Sequence, residues 1–219
     1  MEKRLDFFLF LGSTYTHLSV HRAEQLAGRA GVALRWRPFS ARTLMLEQNN
    51  RPFIGKPVKL AYMWRDLERR ARRHGVPFVS IPPYPIDMEE LGNRVATVAA
   101  LEGWCAGFMQ AAYAAWFLHN RDPGVPETLT HLLLGMRRDP ASVLARADSA
   151  DIRDRYAEET DAARRLGIFG SPTFACGTEI FWGDDRLEDA IEWCQASTEQ
   201  SRAAGRAATE PAPGAGAEA

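Results

Sequence analysis

Hydrophobic and polar positions along the chain follow two different periods, and the switches between them divide it into blocks. Leu5 to Leu11 is a short apolar, aromatic run broken only by Asp6, the pattern of a strand buried on both faces. Gly12 and Ser13 end the run. Ser13 stands where an N-cap belongs, ahead of a helix carrying Leu18, Ala23 and Leu26 as far as about Gly28 to Gly31. Val32, Leu34 and Trp36 then alternate with Ala33, Arg35 and Arg37, the period of a half-buried strand. A strand–helix–strand unit therefore occupies the first stretch.

The period changes after residue 40. Leu60, Trp64, Leu67 and Ala71 recur at helical spacing, with Arg65, Asp66, Glu68, Arg69, Arg70, Arg72 and Arg73 between them. Asp87 followed by Glu90 reads as a capping box opening a helix through Leu91, Val95 and Val98. Further helices are predicted from about Cys105 to His119, from Pro126 through Leu129, Leu132, Leu133 and Met136, and through Ile152, Tyr156, Thr160 and Ala163 to Gly167. Strand character returns at Thr173 to Cys176. Gly177 and Thr178 make a turn, and Glu179 to Trp182 close a β-hairpin. Gly183-Asp184-Asp185 then caps a last helix through Leu187, Ile191 and Trp193. The order βαβ, helical block, αββα is an α/β fold in which one small sheet is split by an all-helical insertion. The expected division is 1–40 with 165–198 for the sheet domain, 41–164 for the helical domain, and 199–219 for a disordered tail. Thirteen of the last seventeen residues are Ala, Gly or Pro, with no large apolar side chain to offset the entropy of ordering.

Composition narrows the function classes. Lys plus Arg total 27 and Asp plus Glu 28, so a net charge of -1 supplies no field to gather nucleic acid or an anionic membrane. The arginine-rich stretch 65–73 reads as the solvated face of an amphipathic helix because acidic residues interrupt it. No apolar run approaches the ~18 residues that span a bilayer, and the start Met1-Glu2-Lys3-Arg4 leads into no signal-peptide pattern, so a soluble cytoplasmic protein is expected. Cys105, Cys176 and Cys194 show no C-x-x-C spacing, which argues against a disulfide scaffold, a four-cysteine zinc site or a self-contained dithiol. They are expected to be buried bystanders. The five histidines show no metal-ligand spacing, so no metal is expected.

Three segments carry candidate chemistry. Ser13, taken alone, reads first as a plain N-cap serine. The same position beside a helix N-terminus also suits an anion such as a thiolate. Ser13 and Thr16 hold the spacing of a C-x-x-C redox helix with hydroxyls in place of thiols, so they would hydrogen-bond a sulfur brought by a ligand. Ser171-Pro172 opens the hairpin. A cis bond there would turn the Ser171 N–H and C=O outward to pair with an extended peptide. At Trp182-Gly183-Asp184-Asp185-Arg186, acidic caps beside free helix amides would match the carboxylate and ammonium of an amino-acid headgroup, although helix capping alone explains them too. A Ser13–His17 hydrolase dyad lacks both a nucleophile elbow and an evident orienting acid.

Read together, four stretches resemble one family. They are Leu11-Gly12-Ser13-Thr14-Tyr15-Thr16-His17-Leu18, Asn50-Arg51-Pro52 with Pro57-Val58-Lys59-Leu60-Ala61-Tyr62-Met63, Gly167-Ile168-Phe169-Gly170-Ser171-Pro172, and Phe181-Trp182-Gly183-Asp184-Asp185-Arg186. In this order they are similar to the 2-hydroxychromene-2-carboxylate isomerase and kappa-class glutathione transferase branch of the DsbA-like thioredoxin superfamily. The resemblance covers residues 5 to 196. It implies a thioredoxin-like fold with an inserted helical domain, glutathione as cofactor, a small aromatic substrate and a homodimer. Ser13 would bind the glutathione sulfur, Asn50 and Lys59 would hold the tripeptide and the substrate side of the cleft, and Ser171 beside a cis Pro172 would pair with the cysteinyl unit. Asp184 and Asp185 would receive the γ-glutamyl end. Thr14 and His17 depart from the family pattern, and His17 is expected to add a titratable group near the sulfur. The implied reaction is reversible addition of a thiolate to a conjugated alkene, bond rotation and release. A glutathione-consuming transferase and a binding protein with a degenerate site are the alternatives. Phe53, Tyr62, Trp64 and Tyr84 are candidate pocket liners.

Overall fold

The computed structural model of the chain describes residues 3–50, 53 and 55–196. The expected tail and the Arg51-Pro52 part of the central motif lie outside these residues. Four strands form one sheet in the order β2-β1-β3-β4, with β1 Arg4–Leu9, β2 Ala33–Pro38, β3 Thr173–Cys176 and β4 Glu179–Trp182. β1 and β2 run parallel, joined by the crossover helices α1 Thr16–Val20 and α2 Ala23–Arg29. β1–β3 and β3–β4 are antiparallel, so the C-terminal hairpin completes the sheet begun at the N-terminus. Between them come α3 Ala41–Glu47, α4 Pro57–His74, α5 Leu91–Leu101, α6 Cys105–His119, α7 Pro126–Gly135, α8 Pro140–Ala147 and α9 Ala150–Arg165. A 3-10 turn, Asp184–Arg186, leads into α10 at 187–196. Among the described residues, no helix is long and apolar enough to cross a membrane.

Strand alternation decides which side chains meet which layer. Leu5, Phe7 and Leu9 enter the main core with Phe174, while Phe8 and Phe10 enter a smaller core with Phe39, Leu44 and Ile168. The main core runs without a break from β1 into Val95 and Val98 of α5 and Phe108, Ala112 and Trp116 of α6. The helical block therefore shares the sheet's hydrophobic interior. Helix α6 is buried on most of its circumference, as its run of Ala and aromatic residues demands.

Several local expectations need correction. The first helix is broken at His21–Arg22 into α1 and α2, and its N-cap is Tyr15 rather than Ser13. At α5 the N-cap is Glu90, with φ 54°. Asp87 still caps the helix, but from further back, accepting the Gly92 and Asn93 N–H groups at 3.0 Å. Glu90 instead turns its carboxylate to Ser40, Arg42 and Tyr156. In α10 Trp193 is exposed and Cys194 faces inward. The largest departure is covalent. Cys176 at the end of β3 and Cys194 in α10 form a disulfide with Cα atoms 5.7 Å apart, while Cys105 is buried and free. Helix packing brings two cysteines 18 positions apart together, which no spacing motif announces.

Candidate active site

The turn after β1 presents Ser13. Its N–H donates to Phe10 O at 3.0 Å, closing a tight loop over Gly12, where a Cβ would lie 2.6 Å from the Phe10 ring. The Ser13 hydroxyl donates to Ser171 O at 2.6 Å. Ser171 precedes a cis peptide bond to Pro172. Its own hydroxyl accepts the Phe10 N–H at 2.9 Å and pairs with Thr16 Oγ1 at 2.9 Å. Ser13, Thr16 and Ser171 thus form one hydroxyl cluster at the end of the sheet. The Ser171 carbonyl does not point outward unused, because Ser13 already occupies it. Helix α1 has only five residues, so little macrodipole reaches Ser13, and the hydroxyl itself is the anion-stabilising group the turn offers.

Helix α4 ties this turn to the next segment. Lys59, Met63, Asp66 and Arg70 are spaced by four, three and four residues, so they share one helix face. Met63 Sδ accepts the Thr14 hydroxyl at 3.2 Å, Asp66 accepts the Tyr15 hydroxyl at 2.9 Å, and Arg70 donates twice to Asp184 Oδ2, at 2.8 and 3.2 Å. Burial and the Asp66 carboxylate push the Tyr15 phenol well above its usual range. Lys59 lies one turn beyond the Thr14 contact, with its ammonium 5.8 Å from the Phe53 ring centroid. Asn50 follows α3 and is exposed. Among the described residues, no hydrogen bond or ion pair joins Asn50 or Lys59 to Ser13, Ser171 or Asp184. Trp64 belongs to the core and Tyr62 is exposed, while half-buried Phe53 and Tyr84 make an edge-on pair with centroids 6.1 Å apart.

The two acidic candidates have different roles. Asp184 is 2% exposed and is held by Arg70, with Arg22 at 3.9 Å. Burial pushes its carboxyl up to about 6 despite the opposing pull of Arg70. Asp185 is exposed and pairs with Arg186 at 3.1 Å. Arg70 was expected on a solvated face, but the acid it serves lies 114 residues away in sequence. Asp184 is thus taken up by Arg70, and Arg22 also pairs with Glu188, so of the two acids Asp185 is the exposed one.

His17 does not behave as expected. It is 1% exposed, stacked on Phe117 with centroids 4.1 Å apart, and joined through Nε2 to Pro77 O at 2.8 Å. The carbonyl can only accept, so Nε2 carries the proton. Burial lowers its pKa to about 3, so the ring is neutral near neutral pH. A cavity of about 450 Å³ lies elsewhere, between α3, α5 and α9. Its Ser40, Glu90, Tyr156 and Thr160 are hydrogen-bonded to one another, so the hydroxyl cluster has the stronger claim to chemistry. Among the described residues, no group of three or more His, Cys, Asp or Glu side chains could hold a metal ion.

Comparison with known proteins gives this arrangement a family. The model of the DSBA-like thioredoxin domain matches residues 4–192. The chain belongs to that family. It is 27% identical over 191 residues to a 2-hydroxychromene-2-carboxylate isomerase of Pseudomonas putida, covering 84% of this chain and 90% of the relative. It is 31% identical over 100 residues to a glutathione S-transferase kappa 1 of Caenorhabditis elegans, covering 45% and 42%. The solved structure of a 2-hydroxychromene-2-carboxylate isomerase superposes with a TM-score of 0.78 at 24% identity, over 91% of this chain and 98% of that one. The DsbA-like fold with its helical insertion is therefore established. Within it, this chain carries Ser13 and Thr16 at the turn and keeps its three cysteines elsewhere.

Proposed function

We propose that the chain is a glutathione-dependent isomerase acting on a conjugated aromatic compound of the 2-hydroxychromene-2-carboxylate type. The observation that carries this reading is the Ser13 hydroxyl at 2.6 Å from the Ser171 carbonyl, beside a cis Pro172. One hydroxyl donor and one peptide edge sit together where a cysteine-containing peptide needs both. Similarity to isomerases over most of the chain supports the reaction class.

The residues present fit glutathione. Bound there, it would supply a thiolate that adds reversibly to a conjugated double bond, lowering the barrier to rotation about it. Ser13 would turn its hydroxyl from Ser171 O to the sulfur, a charge-assisted hydrogen bond that favours the thiolate. The released Ser171 carbonyl would then accept the ligand's peptide N–H. Arg70 would hold the γ-glutamyl carboxylate and the exposed Asp185 its ammonium, while buried Asp184, already paired with Arg70, would fix that guanidinium in place. Asn50 and Lys59 would hold the tripeptide and the substrate side of the cleft, with the Phe53–Tyr84 pair beside Lys59. Neutral His17 takes no proton in this scheme.

The test is isomerisation of 2-hydroxychromene-2-carboxylate by purified protein with and without glutathione. Loss of turnover without glutathione, and a fall of about 10- to 100-fold in Ser13→Ala, is expected for one hydrogen bond to a charged sulfur. Turnover indifferent to both sinks the proposal. The likeness to a kappa-class transferase supports a second reading, in which glutathione is consumed. Its concentration over the reaction separates the two, since an isomerase leaves it constant.

A further inference from the structure

The turn that presents Ser13 is pinned from the helical block. Asn93, fully buried in the first turn of α5, accepts the Leu11 N–H through Oδ1 at 2.8 Å. Its Nδ2 donates to Asp87 Oδ2 at 2.6 Å, which decides the end of the amide that faces Leu11, because a carboxylate only accepts. Asp87 is held in turn: its N–H donates to the Asp122 carboxylate at 3.1 and 3.2 Å, which also takes the Gly124 N–H at 2.7 Å. Two glycines let these layers meet. A Cβ on Gly92 would stand 2.6 Å from Leu11 Cδ2, and one on Gly124 would overlap the Asp87 backbone. From α6, the Tyr113 hydroxyl donates to Ser13 O at 2.8 Å.

Backbone groups of Phe10, Leu11 and Ser13 are therefore each fixed by a named partner, leaving the Ser13 side chain to rotate. We propose that Asn93, assisted by Tyr113, is a positioning residue that sets where the Ser13 hydroxyl stands. This rests on the role given to Ser13 above. Asn93 does not touch the ligand. It acts through the Leu11 amide, two residues before Ser13, so its loss moves the hydroxyl away from the sulfur while leaving the Ser171 edge and the Arg70–Asp184 pair in place.

The test is a double-mutant cycle of Asn93→Leu and Ser13→Ala, reading isomerase kcat/KM, glutathione affinity by calorimetry, and the pKa of the bound thiol by thiolate absorbance. Asn93→Leu is expected to lower kcat/KM about tenfold and raise the bound thiol pKa by about one unit, with glutathione affinity kept within about threefold. In the Ser13→Ala background it should cost nothing further. A full additional loss in that background, or a loss with the thiol pKa unchanged, overturns the proposal. Asn93→Leu also strands Asp87, so Tyr113→Phe, which keeps the ring and removes only the hydroxyl, provides a second probe. It should raise the thiol pKa in the same direction, and an unchanged value overturns the part given to Tyr113. If Ser13→Ala alone leaves turnover and thiol pKa untouched, the function proposed for Ser13 falls and this inference falls with it, a result distinct from additivity.

Discussion

Acid should destabilise this protein through His17, and the size of the effect follows from its surroundings. In the folded chain the ring is 1% exposed, stacked on Phe117, and held neutral with a pKa near 3. In the unfolded chain it titrates near 6.5. A folded pKa below the unfolded one means that stability is fully present above about pH 6.5 and is lost as pH falls towards 3. At 1.36 kcal/mol per unit, the whole gap corresponds to about 5 kcal/mol, and descent from pH 7 to pH 5 removes about 2. That is a large share of the stability of an ordinary domain. Other groups titrate in the same window. Asp184 acts with the opposite sign: its folded pKa near 6 lies above the unfolded value, so its contribution shrinks as pH rises from about 4 to 6. The measurement must therefore compare two proteins. Urea unfolding at pH 7 and pH 5 would be followed for the native chain and for His17→Gln, whose amide can still donate to Pro77 O but cannot titrate. The native chain should lose about 2 kcal/mol more than the variant. Equal losses, or a His17 resonance titrating near 6.5 in the folded protein, would refute the argument.

Other consequences are local. Arg70→Met leaves Asp184 buried with only Arg22 nearby at 3.9 Å, and a loss of about 2 kcal/mol is expected, discounted because Arg70 is a quarter exposed. Adding Asp184→Asn should recover at least half of it, and a double variant no more stable than Arg70→Met would contradict the ion-pair account. Opening the Cys176–Cys194 disulfide with a reductant frees a loop closed across 18 positions and should lower stability by about 3 kcal/mol. Three titratable thiols in the unreduced, denatured protein would show that the bond does not form. Gly124→Ala would press a methyl group into the Asp87 backbone, so a loss of about 3 kcal/mol is expected in thermal unfolding, and a change under 0.5 would mean the 122–124 loop gives way freely.

Much of the fold is legible in the sequence, because the local rules agree with the global structure. The hairpin at Thr173–Trp182, helix Cys105–His119 and the inward set Ile152, Tyr156, Thr160 and Ala163 stand where periodicity and turn residues put them. Helices α3 and α8 were not resolved individually, since seven- and eight-residue segments leave too short a periodic signal. In the site, Ser13 and Ser171 were readable as a hydroxyl and a peptide edge of the right chemistry. That one donates to the other was not, because 158 residues separate them and only sheet closure joins their loops.

What the sequence determined by itself was identity of chemistry: a serine and a threonine at a redox-helix spacing, a proline opening a strand, and an acidic pair at a helix start. Tertiary structure decided which of these groups are available. It spends the Asp184 carboxylate on Arg70, withdraws His17 from titration by burying it against Phe117, and joins two cysteines that no motif pairs. It also brings Asn93 and Tyr113, which no sequence motif singles out, onto the backbone of the Ser13 turn. Hydrophobic period reports which face of an element is buried. It carries no information about which buried polar atom will meet which partner, because that depends on the packing of several elements at once.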